Sequence, residues 1–369
     1  MMRPMWTRPR GPFAAVLVLA LAAGCGGEQP EPEPGPQPEP PPDVAAPLLA
    51  GDVAGGLTVP WGLDFLPGGD ALVTERDSTR ILRVTPEGRV TPVGQVPGAR
   101  APDLGGEGGL LGLAVSPRFA DDRLVYVYYS AANENRIVRF RYEAGRLGPP
   151  DPVVTGIPSA TFHDGGRIVF GPDGMLYAGT GDALQEQLAQ DRGSLAGKIL
   201  RMTPEGEPAP GNPFPASLVY SYGHRNVQGL AFDSKDRLWG AEHGEDSWDE
   251  LNLIRPGSNY GWPQVEGRGG GGRFVQPVAQ WRPDEASPSG IAIVDDVVYM
   301  AALRGERLWQ IPIRGDTAGD PIEYFTDELG RLRTVRPAPD GSLWLMTSNR
   351  DGRGEPVSGD DRIVRVELN

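Results

Sequence analysis

Cysteine occurs once in 369 residues and histidine three times. One thiol cannot close an intrachain disulfide, so core burial or bound metal must supply the stability of an exported chain of this kind. Beyond the N-terminal region no run approaches the roughly 18 apolar residues of a membrane-spanning helix, and no long helical period stands out. Positive charge is also short: 35 Lys and Arg against 49 Asp and Glu leave a formal charge of −14. That balance argues against nucleic acid as a partner and suits a surface that binds cations. What the chain has in quantity is glycine, 52 residues, and proline, 39 residues, the punctuation of a turn-rich chain.

The chain opens MMRPMWTRPRGPFAAVLVLALAAGCGG. Arg3, Arg8 and Arg10 make a basic start, and Phe13–Ala23 is an apolar stretch too short to cross a bilayer comfortably. It stops at Ala23-Gly24-Cys25, and residues 1–25 resemble a bacterial lipoprotein signal in which the Cys becomes the lipidated first residue of the mature chain. Ala22 stands where that pattern prefers Leu. The expectation is an exported protein held to the cell envelope by a lipid anchor alone, in the periplasm or on the outer face of the cytoplasmic membrane. Residues 26–43 alternate Pro and Glu, bury nothing, and favour a stiff, acidic, extended spacer. Residues 44–369 remain for folding, enough for one large domain or two ordinary ones.

Internal repetition decides between those. WGLDFLPGGDALVTE from Trp61, LGLAVSPRFADDRLVYVYYS from Leu111, GRIVFGPDGMLYAGTGDA from Gly166, QGLAFDSKDRLWGAE from Gln228, SGIAIVDDVVYMAALRG from Ser289 and RTVRPAPDGSLWLMTS from Arg333 share one plan. Each is an apolar run, a polar turn and a second apolar run, followed by further strand-like alternation such as Ile363-Val364-Arg365-Val366. Starts recurring every ~40 to 65 residues predict an all-β fold, a six-bladed β-propeller over residues 44–369. Strands from the two ends should pair to close the ring, since both would otherwise be open edges. The insertions Glu186–Leu195 and Gly257–Gln276 should be loops on one face.

In a propeller the turns entering the innermost strands converge on one pocket, and here those turns are polar. His163 heads the FHDGG turn, and Asp182, at the far end of the same blade, could orient its imidazole as the carboxylate behind a general base. Arg225 and Asn226 follow His224 in SYGHRNVQG, and Arg304, Arg331 and Arg333 recur at the entrances of later units. Guanidiniums gathered in a net-acidic protein repel one another unless a polyanion sits among them. The run Glu242–Glu250 (EHGEDSWDE) offers carboxylates and free carbonyls, the hard donors that Ca²⁺ prefers, while zinc lacks Cys or paired His there.

Taken together, GEGGLLGLAVSP, HDGGRIVFGPDG, YGHRNVQGLAF, GEDSWDELNLI, NYGWP and GRLRTVRPAPDG resemble the soluble quinoprotein sugar dehydrogenases, the family of pyrroloquinoline quinone (PQQ)-dependent glucose, aldose and sorbosone dehydrogenases. The resemblance, from about Trp61 to Leu368, implies a six-bladed propeller oxidising the C1 hydroxyl of an aldose to the lactone. It implies His163 as catalytic base and Asp182 as its partner. It implies Gln187, Arg225, Asn226, Arg304, Arg331 and Arg333 at the quinone, and Glu107 at the sugar. The carbonyls of Gly244 and Glu245 would hold the Ca²⁺ at the quinone, and Glu250 with the carbonyl of Tyr260 a second, structural Ca²⁺. Glu107, Arg304 and Glu245 depart from the family's Gln, Lys and Pro, the first putting sugar preference in doubt. The partners implied are a sugar and an electron acceptor that the sequence does not identify. A Ca²⁺-dependent propeller hydrolase of the lactonase kind has no use for so many pocket arginines. A non-catalytic extracellular binding propeller leaves the matched spacing of His163 and the arginines unexplained.

Overall fold

The computed structural model describes residues 44–103 and 105–368, so the expected signal segment ending at Cys25 and the expected Pro/Glu spacer 26–43 lie outside the described residues. Strands dominate because the apolar runs are short and their residues alternate between two faces. They form six antiparallel sheets, each a meander read from an inner to an outer strand. Blade one holds Pro60–Phe65, Ala71–Glu75, Arg80–Val84 and Val90–Gln95, and blade two holds Leu110–Val115, Leu124–Ser130, Asn135–Glu143 and Asp151–Ile157. Blade three has Ile168–Phe170, Leu176–Gly179, Lys198–Met202 and Val219–Tyr222. Blade four has Val227–Phe232, Leu238–Glu242, Asp249–Ile254 and Ala279–Trp281. Blade five runs through Pro288–Val294, Val297–Ala302, Arg307–Arg314 and Ile322–Tyr324. Blade six takes Leu332–Pro337, Leu343–Thr347 and Ile363–Leu368, and its outer strand is Pro47–Ala54 from the other end of the chain.

That last pairing, with Leu49 opposite Val366 and Asp52 opposite Val364, closes the ring as expected and leaves neither end as an open inner edge. Inner strands are buried on both faces, which is why they read as continuous apolar runs, whereas the outer strand Val90–Gln95 has no buried residue. Core forms between neighbouring blades: Trp61 of blade one, Leu111 and Tyr128 of blade two, and Ile168 and Leu200 of blade three share one cluster. The inner strands approach closely around the axis. Gly62, Gly112, Gly229 and Gly290 occupy one equivalent row, and at Gly112 a Cβ would come within 2.1 Å of the Gly166 carbonyl oxygen. The same row carries Arg167 in blade three and Thr334 in blade six.

The two long insertions meet, as expected of loops on one face: Gln190 Nε2 donates to Asn259 Oδ1 at 3.0 Å and to the Trp262 carbonyl at 2.6 Å. Lys198, fully buried, ties the first insertion down by donating to the carbonyls of Leu188, Ala189 and Ala196 at 2.7, 3.1 and 2.5 Å.

Candidate active site

His163 sits in the left-handed region, at φ 63°, a backbone state uncommon outside glycine. Two neighbours hold it there. Gly181 packs directly beneath, where a Cβ would lie 1.7 Å from the His163 carbonyl oxygen, and Asn226 Oδ1 accepts the Gly165 N–H at 3.0 Å. The imidazole Nδ1 lies 2.7 Å from Asp182 Oδ1, and Asp182 Oδ2 accepts the Trp262 indole N–H at 2.8 Å. Because the buried Asp182 carboxylate can only accept, it fixes the ring as the Nδ1–H tautomer and leaves Nε2 as the basic nitrogen.

Next to this pair lies a cavity of about 370 Å³ lined by Glu107, Gln228, His243, Ser287, Leu303, Arg304, Arg331, Arg333 and Arg353, within the range of small-molecule sites, roughly 300–1,000 Å³. Glu107 joins the two: its Oε2 accepts the His163 backbone N–H at 3.2 Å and the Asn226 amide at 3.5 Å, while Oε1 is 3.5 Å from Arg353. Burial works to raise the Glu107 carboxyl, yet the groups facing it, Arg353 and the His163 N–H among them, hold it below the usual carboxylate range.

Burial, reinforced by Arg333 and Arg225 against the pull of Glu107, pushes His243 down to about 3. Its ring is therefore neutral at pH 7.

Arg331 and Arg333 converge on Asp351, Arg331 through Nε and Nη2 at 3.0 and 2.9 Å and Arg333 at 3.5 Å. Despite its burial, their charges hold the Asp351 carboxyl below its ordinary value. Arg333 also donates to Gln228 Oε1 at 2.9 Å. Among the described residues the guanidinium of neither Arg225 nor Arg304 has a carboxylate partner, although the Arg225 backbone N–H donates to Glu242 at 2.8 Å; the Arg225 side chain lies over the Trp262 ring, and Arg304 is exposed at the rim. Buried nitrogens of Arg225 (Nε), Arg333 (Nε) and His243 (Nε2) have no hydrogen-bond partner. Unpaired buried polar nitrogens are costly, and these three, set around the main cavity and the void beside it, are what an anionic ligand with several oxygens would satisfy.

A second, ion-sized void of about 10 Å³ adjoins this cavity, sharing His243 with it and lined further by Arg225, Glu242, Gly244, Glu250, Tyr260 and Glu266. Asn252 Nδ2 bridges Glu242 and Glu250 at 3.1 and 2.9 Å. Burial and the neighbouring Glu242 charge push Glu250 up to about 8. The acidic run as a whole does not converge. Glu245 and Asp246 are exposed, Asp249 accepts the N–H groups of Gly244 and Ser287, and the amides from Glu245 to Trp248 all point at Glu266 Oε1. Among the described residues no three His, Cys, Asp or Glu side chains form a set of metal ligands, so a cation here would draw on backbone carbonyls as well.

Over residues 57–359 the sequence matches the glucose/sorbosone dehydrogenase family. The chain belongs to that family. The PQQ-bound aldose sugar dehydrogenase of Streptomyces coelicolor superposes with a TM-score of 0.87 at 57% identity, covering 89% of this chain and 100% of that one. The aldose sugar dehydrogenase of Escherichia coli is 31% identical over 81% of this chain and 90% of its own length. Quinoprotein glucose dehydrogenase B of Acinetobacter calcoaceticus is 35% identical over 57% of this chain and 51% of its own length.

Of the residues singled out from the family pattern, the fold brings Glu107, Arg304, Arg331 and Arg333 into the lining of the main cavity, sets His163 and Asn226 beside it on Glu107 with Asp182 behind His163, and brings Arg225, Gly244, Glu250 and Tyr260 to the adjoining void. Gln187 is exposed in the 3₁₀ turn Glu186–Ala189 and lines neither. Gln228, Arg353, Asp351 and Glu266 escaped sequence reasoning. His224 is fully buried away from solvent, bonded to Ser221 and Glu242 at 2.8 Å each and stacked on Tyr260 at 4.6 Å, so its role is structural.

Proposed function

We propose that this chain is a PQQ-dependent dehydrogenase that oxidises the C1 hydroxyl of an aldose, with His163 as general base. The observation that carries the reading is the 2.7 Å bond from His163 Nδ1 to Asp182, made beside a cavity lined by guanidiniums. The orphaned nitrogens of Arg225, Arg333 and His243 fit a group bearing several carboxylates, which PQQ does. Arg331 and Arg333, their planes set by Asp351 and Gln228, would hold it with Arg225, Asn226 and Arg304. When bound, such a quinone supplies the acceptor for a hydride leaving the sugar C1.

His163 Nε2 takes the C1 hydroxyl proton; loss of that proton and of hydride from C1 leaves a C1 carbonyl, the lactone. The Asp182 carboxylate stabilises the imidazolium that results, and Glu107 accepts hydrogen bonds from sugar hydroxyls. For Ca²⁺, the carbonyls of Gly244 and Glu245 would serve the ion beside the quinone. Glu250 and the Tyr260 carbonyl, with Glu242 and Glu266, would serve a structural ion; burial and the Glu242 charge push the Glu250 carboxyl up, and a divalent cation there would favour its ionised form. The proposal includes export and lipid attachment at Cys25, supported by the apolar run that ends there and the spacer that follows; loss of fatty-acid labelling in Cys25→Ala is the result expected.

The mature protein supplied with Ca²⁺ and PQQ should reduce an artificial dye when given an aldose. Cleavage of an ester or lactone without the quinone, or no quinone uptake by absorbance, would overturn the reading.

A further inference from the structure

The inner-strand row that is glycine in four blades carries Arg167 in blade three. Its side chain leaves its own blade entirely. Nε donates to the Gln228 carbonyl of blade four at 2.8 Å, Nη2 to Thr334 Oγ1 of blade six at 2.9 Å, and the guanidinium stacks 4.2 Å from the ring centroid of Trp61 in blade one. A group touching the inner strands of three other blades, one of them opposite its own, must cross the propeller axis. It spans the space about the axis between those strands.

Among the described residues Arg167 has no carboxylate partner, whereas Arg333 has Asp351 and Arg336 has Asp64. Burial, with Arg333 and Arg336 nearby, lowers it to about 9, so it stays charged at neutral pH. Arg333 lies 5.8 Å from the same Trp61 centroid, so the two guanidinium carbons are within about 10 Å of each other. Arg167 also holds the backbone of Gln228, whose side chain sets Arg333, and holds Thr334, whose Oγ1 donates to the Trp61 carbonyl at 2.7 Å.

We propose that Arg167 is a positioning residue for the anionic cofactor: it spans the axis, braces Gln228, Trp61 and Arg333, and adds an uncompensated positive charge behind the carboxylate-binding guanidiniums. The inference rests on the PQQ reading above. A unit charge at about 10 Å in a medium of effective dielectric near 20 corresponds to a change in affinity on the order of tenfold.

The test titrates apo-protein with PQQ, follows tryptophan fluorescence and quinone absorbance, and measures the midpoint potential of the bound quinone. Arg167→Gln keeps amide donors without the charge, Arg167→Lys keeps the charge, and Arg167→Met is the neutral substitute should Gln fail to fold. The Gln variant should bind about tenfold more weakly with a lower midpoint potential, and the Lys variant should stay within about threefold of wild type. Wild-type affinity and potential in both neutral variants would overturn the inference alone. A Lys variant as impaired as Gln would overturn its electrostatic part. No quinone uptake by the wild type would overturn the cofactor reading, and this inference with it.

Discussion

Replacing Asp182 by Asn tests the base most directly, because it changes one atom and leaves the shape. In the wild type both oxygens accept: Oδ1 from His163 Nδ1 at 2.7 Å and the Leu184 N–H at 2.9 Å, Oδ2 from the Trp262 indole at 2.8 Å. An amide cannot satisfy all three. With its NH₂ towards Trp262, donor faces donor at a cost of about 1–3 kcal/mol, and the charge that stabilises the imidazolium is gone. With its NH₂ towards His163, the ring must adopt the other tautomer and Nε2 carries the proton it should accept. Either outcome removes a carboxylate–imidazolium attraction worth about 4 kcal/mol at 4 Å and a dielectric near 20.

The expected loss in kcat is therefore about 10²–10⁴-fold. The assay is dye reduction at saturating sugar on fully loaded enzyme, with quinone affinity measured separately and expected to hold within about threefold, since Asp182 is not among the residues lining the main cavity. His163→Asn should be equally slow, and the double variant no slower than either single one, as for groups acting as a unit. A kcat within about threefold of wild type, or a deficit accounted for by lost quinone, refutes the assignment of His163 as base.

Gly112→Ala would push a Cβ to 2.1 Å from the Gly166 carbonyl oxygen, so it should lower stability by about 1–3 kcal/mol or more, read from the midpoint of chemical denaturation; an unchanged midpoint would refute the close approach of the inner strands. Lys198→Met leaves three buried carbonyls without their donor and should cost about 3 kcal/mol, with faster amide exchange confined first to residues 186–197. Burial pushes the Asp164 carboxyl up to about 6, and its Oδ2 has no partner. The folded state thus binds this proton more tightly than the unfolded one, and the stability it contributes is full below about pH 4 and lost as pH rises through 6, a swing of about 3 kcal/mol. In Asp164→Asn that slope should vanish, so melting curves from pH 4 to 8 that run parallel for the two proteins would contradict it.

The ring was legible because each blade repeats signals that are local. An apolar run, a Pro-x-Gly or Asp-Asp turn and a second run fix a hairpin without reference to anything distant. Even the closure followed from sequence, although Pro47–Ala54 is exposed from Leu48 to Asp52 and shows no alternating inward face of its own; the argument came from the edge it had to cover. The pair His163–Asp182 was legible for a related reason, as both stand at the ends of one blade only 19 residues apart. What escaped depends on contacts between blades. Gln228 meets Arg333 across 105 residues, and Arg167 meets Thr334 across 167. No spacing in the chain announces such pairs, since topology alone brings them together.

Composition misleads where the backbone competes for the same atoms. The run Glu242–Glu250 looks like a nest of metal ligands, yet Asp249 is occupied by two amide N–H groups and Glu245 and Asp246 face solvent. The carboxylate that organises the loop, Glu266, lies outside the run and accepts four consecutive amides. The histidines make the same point. His163 and His224 both sit in glycine-containing turns beside an inner strand, each with an acidic partner 2.7–2.8 Å from Nδ1. At His224 the second nitrogen is taken by Ser221 and the ring is sandwiched on Tyr260, so no lone pair is left for a substrate. At His163 the second nitrogen has no protein partner, and the backbone N–H goes to a cavity carboxylate instead. A histidine able to accept a proton is thus distinguished by what its Nε2 lacks, and that depends on how the neighbouring blade is packed against it.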